Sequence, residues 1–207
     1  MILNNNFVIT INRELGSGGR TVGRKLAEKL GVEYYDKAVI KALQERYDLS
    51  VEQIEHLKGK KESWWAEFKR MMSMAEDEFM VVNAGVETED MFRTETEILR
   101  SITKNESCVI AGRTGFYIFR EHPNHLSILI QASMLSRIAR VAREQNMSKE
   151  EARMTIEKVD QMRENYVQEH TRTSRYDSRN YQLVLSMDEL TEDDAVEIIL
   201  DVIHRMA

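Results

Sequence analysis

Five short apolar runs lie along the chain, and segments with a helical spacing of apolar residues separate them. Most of these runs are continuously apolar, which is typical of strands that are buried on both faces of a parallel sheet. Because helical patterns alternate with the runs, the sequence predicts an α/β layered fold around one parallel sheet. The predicted strands are FVITI (7–11), VEYYD (32–36), SCVIAG (107–112), LSILIQA (126–132) and YQLVLSM (181–187).

Two strand-free segments, 37–105 and 146–180, interrupt this alternation. Both hold many helix-forming residues, and both are too long to be plain crossovers between strands. They therefore predict two helical inserts set on one sheet. Ser148 followed by Glu151 has the spacing of a capping box, so a helix should begin in the second insert at this point. The core of the single domain is then formed by residues 1–36, 106–145 and 181–207.

The composition limits the functions that are open to the chain. A net charge of −6 argues against general binding to nucleic acid or to a membrane, since both favour basic surfaces. No segment approaches the roughly 20 apolar residues that span a bilayer, and the first residues lack the pattern of a signal peptide. The single cysteine, Cys108, is expected to be a buried thiol in a protein of the reducing cytoplasm. Because the chain is acidic overall, any phosphate site must depend on a local cluster of arginines.

The stretch NRELGSGGRT, residues 12–21, joins the first predicted strand to a helical pattern. A strand, a glycine-rich turn and a helix in this order are typical of a phosphate-binding loop. Glycines let backbone N–H groups converge on phosphate oxygens with no Cβ in the way. A tight turn without a ligand is the alternative interpretation.

The usual pattern of such loops, G-x-x-x-x-G-K-[ST], ends with a lysine for the phosphates and a hydroxyl for magnesium. One alignment matches the last glycine to Gly19 and the hydroxyl to Thr21, and it places Arg20 at the lysine's position. Shifting the alignment by one residue places Gly19 itself at the lysine's position. We prefer the first alignment because it supplies a charge there, although a guanidinium is broader than an ammonium group.

Further arginines follow the third and fourth predicted strands, where the ligands of open parallel sheets bind. Arg113 leaves the third strand, and Arg137 and Arg140 lie one turn apart on the helix after the fourth. In the second insert, Arg163 lies on an apolar stripe and can pair with Asp160 at i, i+3. These residues are either surface charges and structural salt bridges or ligands of phosphate groups.

A set of arginines with few candidate general bases favours phosphoryl transfer, which requires positioning and charge neutralisation more than covalent catalysis. The five histidines have no metal-ligand spacing, and Cys108 has no local signature of a nucleophile. The sequence also lacks a G-x-S-x-G motif.

With these residues assembled, the chain resembles the cytidylate kinase-like family, divergent relatives of bacterial cytidylate kinase and other nucleoside monophosphate kinases. The resemblance extends over nearly the whole chain. It implies a P-loop kinase fold with a five-stranded parallel sheet, a helical insert of the NMP-binding type at 37–105 and a mobile lid at 146–180. It also implies ATP as donor, magnesium (Mg²⁺) as cofactor and a small-molecule acceptor. The segments on which the resemblance depends are ITINRELGSGGRTVGRKLAEKLGVEYYDK, CVIAGRTGFYIFREHPN, IEKVDQMRENY and SRNYQLVLS.

The resemblance implies roles for individual residues. The donor phosphates would lie on Gly16, Ser17, Gly18, Gly19, Arg20 and Thr21, with Thr21 also on the metal. The acceptor would contact Asp36, Arg113 and Arg140. Transfer would depend on Arg20, Arg137, Asp160 and Arg163. The sequence departs from the cytidylate kinases where the loop lysine is absent and where Thr114 replaces the aspartate that follows their Gly-Arg pair.

Two functions from different classes are consistent with these residues. The first is a kinase that transfers phosphate to a nucleoside monophosphate, of the cytidylate type, or to a related small molecule. The alternative is a nucleotide-binding regulatory protein without catalysis, which the missing lysine favours. Assembly is a separate question, because residues 63–80 hold two tryptophans and four methionines. These side chains either fill the core of the first insert or form a subunit interface, so a homo-oligomer is a further expectation.

Overall fold

The computed structural model describes residues 5–36, 89–104, 106–112 and 114–206. The chain divides into two compact units, one formed by residues 1–35 with 106–207 and the other by residues 36–105. The described part of the second unit is Asp36 together with residues 89–104, most of which form a single helix.

The first unit is built on a five-stranded sheet in which every strand pair is parallel. The spatial order is β2-β3-β1-β4-β5, so β1 is the central strand. The five predicted strands and the α/β layered fold are therefore confirmed. The strands are β1 (Val8–Arg13), β2 (Glu33–Tyr35), β3 (Cys108–Ala111), β4 (His125–Gln131) and β5 (Leu183–Ser186).

Helices alternate with the strands, and one of them begins where the sequence predicts its start. The capping box is formed as predicted, since the Ser148 hydroxyl accepts from the Glu151 N–H at 3.2 Å and the Glu151 carboxylate accepts from the Ser148 N–H at 2.8 Å. The helices of the first unit are α1 (Gly19–Leu30), α3 (Gly115–Ile118), α4 (Met134–Glu144), α5 (Lys149–Thr171) and α6 (Glu192–Arg205), and α2 (Glu89–Thr103) belongs to the second unit.

Both faces of the sheet are covered, which explains why the strands are continuously apolar. On one face, Ile128 and Ile130 of β4 share a core with Leu26 of α1 and Ile199 of α6. On the other face, Leu129 packs with Phe116, Val167 and Tyr181. Successive residues of β4 thus point to opposite layers, as strand geometry requires. This sandwiched sheet fixes the carboxyl ends of β1, β3 and β4 side by side.

Cys108 lies at the start of β3 and is fully buried, as predicted. Burial raises the pKa of its thiol to about 12, so a thiolate nucleophile is not available at this position near neutral pH. No helix among the described residues is both long and apolar enough to cross a membrane. The cytoplasmic location stays a prediction from the sequence.

His125, at the start of β4, makes the stability of the fold depend on pH. Its Nε2 and the Thr10 hydroxyl are 2.8 Å apart, and burial lowers the pKa of the imidazole to about 4, with the neighbouring His122 acting in the same direction. In the unfolded chain a histidine titrates near pH 6.5. Because the unfolded state binds the proton more tightly, the stabilisation is complete above this value and is lost as the pH falls towards 4. We expect the free energy of unfolding to decrease by about 2 kcal/mol between pH 7 and pH 5 through this residue.

Urea denaturation at the two pH values checks this expectation. In His125→Gln the decrease should be smaller by the same amount, because glutamine does not titrate. His204→Gln, at the exposed end of α6, should retain the wild-type pH dependence. An equal decrease in wild type and His125→Gln would contradict the assignment.

Candidate phosphate-binding site

The loop between β1 and α1 has the backbone of a cradle that opens onto a helix N-terminus. Gly16 and Gly18 have φ angles of 79° and 82°, in the left-handed region that favours glycine. Gly18 is the N-cap of α1 and has no side chain with which to cap the helix, and the first turn has no acidic residue. The N–H groups at the start of a helix have no partners within the helix, so this end suits an anion.

Neighbouring elements leave no space for side chains at the loop glycines. A Cβ on Gly16 would lie 2.9 Å from the Arg137 carbonyl oxygen and 2.9 Å from Cγ2 of Val141. A Cβ on Gly18 would lie 3.1 Å from a Glu192 carboxylate oxygen. Real Cβ contacts are rarely this short, so the loop requires glycine both for its backbone angles and for its packing.

Arg137 and Asp160 form a buried ion pair beneath the loop, and they are 4% and 8% exposed. Arg137 Nε donates to the Leu15 carbonyl oxygen at 2.9 Å, and Asp160 Oδ1 accepts from the Leu15 N–H at 3.2 Å. Both polar groups of the Leu15 backbone are therefore held by α4 and α5. The contacts of this pair are directed at the loop backbone.

Glu14 completes the attachment of the loop. One carboxylate oxygen accepts from the Ala132 N–H at 3.1 Å, and the other lies 3.3 Å from Nη1 of Arg137. The preferred sequence alignment puts Glu14 at the place of the first glycine of the usual pattern. At this place the protein has a carboxylate that joins the loop to the end of β4.

Arg175, which the sequence interpretation missed, is the most deeply buried charge of the site, with 1% exposure. Its guanidinium donates to the Arg13 carbonyl oxygen, to Asn12 Oδ1 at 3.2 Å and to Asp160 Oδ1 at 3.4 Å. Its own carbonyl oxygen accepts from the Tyr181 hydroxyl at 2.7 Å. Burial raises the pKa of Tyr181 to about 12, so this hydroxyl remains a donor. Arg175 thus fixes the end of β1, from which the loop starts.

The other lid candidate, Arg163, is less enclosed. Its Nη1 donates to the Arg13 carbonyl oxygen at 3.3 Å and lies 3.9 Å from Asp160 Oδ1. The i, i+3 pair predicted from the sequence is therefore longer than the contacts that Asp160 makes with Arg137 and Arg175. About a quarter of the Arg163 side chain is exposed, so Arg163 is more accessible than Asp160.

Arg20 and Thr21 occupy the first turn of α1, directly after Gly19. Arg20 is half-buried and Thr21 is exposed. The Ser17 hydroxyl is buried and donates to the Glu14 carbonyl oxygen at 2.9 Å, so it serves the conformation of the loop. Thr21 is the accessible hydroxyl of the loop segment.

Arg140 flanks the loop from α4. Its Nη1 lies 3.2 Å from the point that a Cβ on Gly18 would occupy, and it donates to Glu192 at 2.5 Å. Burial is the largest single influence on the Glu192 carboxyl and acts to raise its pKa, but the hydrogen bond and charge of Arg140, together with a backbone N–H and Lys25, lower the pKa overall. Arg140 is thus placed beside the predicted donor loop.

Three predictions concern residues outside the loop, and the geometry of the loop does not test them. Arg113 and the tryptophan- and methionine-rich segment 63–80 lie outside the described residues. Asp36 is buried directly after β2 and belongs to the second unit. Its acceptor contact and the homo-oligomer therefore stay predictions.

The geometry fits the phosphates of a nucleotide. A glycine cradle without Cβ atoms, an uncapped helix N-terminus and several arginines at one sheet edge are the features that bind polyphosphates. Within the described ranges no three carboxylate, imidazole or thiol groups are grouped so as to hold a metal ion. Magnesium is usually held by phosphate oxygens, waters and one or two protein ligands, and the exposed Thr21 hydroxyl suits such a ligand.

Fold and site together define an α/β protein of the P-loop kinase type. The model of the cytidylate kinase-like family matches residues 8–189. The chain belongs to the cytidylate kinase-like family. Membership of this family indicates phosphoryl transfer to a small molecule.

Individual relatives are distant. A cytidylate kinase from Sulfolobus acidocaldarius is 23% identical over 95% of this chain and 94% of its own. An uncharacterized protein from Eubacterium ventriosum has a structure with a TM-score of 0.71 at 23% identity, over 96% of this chain and 98% of its own. A shikimate kinase from Bacteroides thetaiotaomicron has a TM-score of 0.51 at 15% identity, covering 96% of this chain and 98% of its own. These likenesses define the fold.

Proposed function

We propose that the protein is an ATP-dependent kinase whose acceptor is a nucleoside monophosphate, of the cytidylate type, or a related small molecule. The observation that carries the proposal is the glycine cradle at the uncapped start of α1, at the carboxyl edge of a parallel sheet. Membership of a kinase family supports the same reaction class. The relative named as a cytidylate kinase supports a nucleotide acceptor.

In this proposal the loop residues 16–21 bind the donor phosphates, and the Thr21 hydroxyl is a ligand of magnesium. Magnesium bound with the nucleotide would neutralise phosphate charge and orient the transferred group. Arg20, Arg140 and Arg163 are the candidates for contacts with the phosphates. Asp36 and Arg113 are proposed for the acceptor.

Arg137 and Asp160 were predicted from the sequence as groups that act on the phosphates. Their burial and their contacts with Leu15 support a different role, in which they hold the loop in its phosphate-binding conformation. We therefore propose them as positioning residues. Such preorganisation matters because phosphoryl transfer is catalysed mainly by placement and by fixed charge.

The proposal is tested by incubating purified protein with ATP, magnesium and a panel of nucleoside monophosphates and small hydroxylated metabolites. We expect ADP and a phosphorylated product with at least one acceptor. Thr21→Val removes the metal ligand at nearly constant volume and should reduce kcat at least about 10-fold. Arg24→Ala, an exposed change one turn along the same helix, should retain wild-type turnover.

Equal turnover in wild type and Thr21→Val would contradict the role of Thr21 as a metal ligand. No turnover with any acceptor would remove the kinase proposal. Tight binding of ATP in the absence of turnover would then support the alternative, a regulatory nucleotide-binding protein, which the missing loop lysine favours. Calorimetric titration with ATP separates these outcomes.

A further inference from the structure

We infer that Arg13, at the end of β1, supplies the positive charge that the lysine of a usual phosphate-binding loop supplies. The inference rests on the proposed function, because it assigns a residue to the donor-phosphate site. It differs from the sequence prediction, which gives this part to Arg20. Three features of the structure point to Arg13.

The first feature is the position of the loop glycines relative to the start of α1. Gly18 has a positive φ and is the N-cap, and Gly19 is the first residue of the helix. In the usual pattern the lysine directly follows the last glycine of the loop. If the last loop glycine is the one with the left-handed backbone, Gly19 stands at the lysine's position, as in the second alignment.

The second feature is that the Arg13 side chain fills the space in front of Gly19. A Cβ on Gly19 would lie 2.7 Å from Cβ and 3.4 Å from Cγ of Arg13. A side chain at position 19 and the side chain of Arg13 would therefore begin in the same volume. The two positions exclude one another, and this protein has the cation on the strand.

The third feature is the route of the side chain across the sheet edge. Nη1 of Arg13 lies 2.8 Å from the point that a Cβ on Gly112 would occupy. Gly112 follows β3, the strand that neighbours β1, and its φ is 79°. Gly19 makes space for the aliphatic part of the Arg13 side chain, and Gly112 makes space for its guanidinium. The charge is thereby placed at the carboxyl edge, between the donor loop and the turn that follows β3.

The backbone of Arg13 is also fixed. Its carbonyl oxygen accepts hydrogen bonds from Arg163 and Arg175, and its N–H donates to Asn12 Oδ1 at 2.9 Å. Arg13 is 9% exposed, so few alternative rotamers are open to it. A preorganised guanidinium loses little entropy when it binds an anion.

The test moves the positive charge from position 13 to position 19. Binding of ATP and of adenosine is measured by calorimetry for Arg13→Met, Arg13→Gly, Arg20→Met, Arg24→Met, Gly19→Lys and the double variant Arg13→Gly with Gly19→Lys. Arg13→Met should weaken ATP binding about 10- to 100-fold and leave adenosine binding unchanged, since only ATP carries the phosphates. Arg20→Met should have a smaller effect, and Arg24→Met should behave as wild type.

Gly19→Lys alone should weaken ATP binding, because the new side chain meets Arg13. The double variant should bind ATP at least about 10-fold more tightly than Arg13→Gly alone, because the lysine occupies the vacated volume. A residue that only supports the fold would not be rescued in this way, and thermal unfolding of each variant verifies that it is folded.

Unchanged ATP affinity in Arg13→Met, or a double variant no better than Arg13→Gly, would overturn the inference and leave the proposed function intact. Loss of ATP binding confined to Arg20→Met would return the role to Arg20. A wild-type protein that binds no ATP would overturn the proposed function, and the inference with it.

Discussion

Replacing Asp160 by asparagine is expected to lower the free energy of unfolding by about 3–5 kcal/mol. Asp160 is buried between two arginines, Arg137 and Arg175, which are themselves almost entirely enclosed. Asparagine has nearly the same shape, but it leaves both guanidinium groups without their shared carboxylate. A buried charge that loses its partner has a large desolvation penalty, which is the reason for the expected loss.

Urea denaturation followed by far-UV circular dichroism measures the effect. Asp201→Asn is the matched control, because Asp201 pairs with Arg205 at 2.8 Å on the exposed surface of α6, where both side chains are more than half exposed. This control should change the free energy of unfolding by less than about 1 kcal/mol. Similar values for the two variants would mean that the buried network contributes little to stability.

Replacing Gly16 by alanine is expected to disrupt both stability and phosphate transfer. The residue would need a left-handed backbone, with φ at 79°, and its Cβ would lie 2.9 Å from a backbone oxygen of α4, which cannot rotate away. We expect a loss of about 2–4 kcal/mol, the sum of backbone strain and overpacking. Because the loop must shift to relieve the contact, kcat/KM should fall about 100-fold.

Gly31→Ala is the control that introduces the backbone strain of a positive φ without a steric clash. Gly31 ends α1 with φ at 65°, and the described residues place no packing atom within 4 Å of the position of its Cβ. This variant should lose only about 1–2 kcal/mol and keep its activity. The difference between the two variants in thermal unfolding and in turnover therefore measures the packing of the loop. If Gly16→Ala behaved like Gly31→Ala, the close contact with α4 would not constrain the loop.

The strands and the start of α5 could be predicted because their causes are local. A buried parallel strand requires consecutive apolar residues, and Ser148 and Glu151 cap the helix through contacts three residues apart. The glycine-rich turn before α1 could likewise be predicted, from the spacing of its glycines. Each of these signals lies within a few neighbouring positions of the chain.

The charges of the site could not be assigned in this way. Arg175 lies in a polar stretch with no periodicity, and it is buried only because Asn12 and Arg13 of β1 meet it across more than 160 residues of sequence. Arg137 and Arg140 lie one turn apart on α4, and Arg137 meets Asp160 while Arg140 meets Glu192. Partners on other elements decide which arginines are structural, and helical spacing does not contain that information.

The attachment of the loop by residues far along the chain has a consequence for synthesis. During synthesis, the carboxylate that binds the Leu15 N–H follows it by 145 residues, and the guanidinium that binds the Arg13 carbonyl oxygen follows it by 162 residues. A nascent chain therefore carries the complete glycine motif long before the motif can hold its shape. A translation product that ended before Asp160 would therefore contain the motif without the groups that hold its conformation.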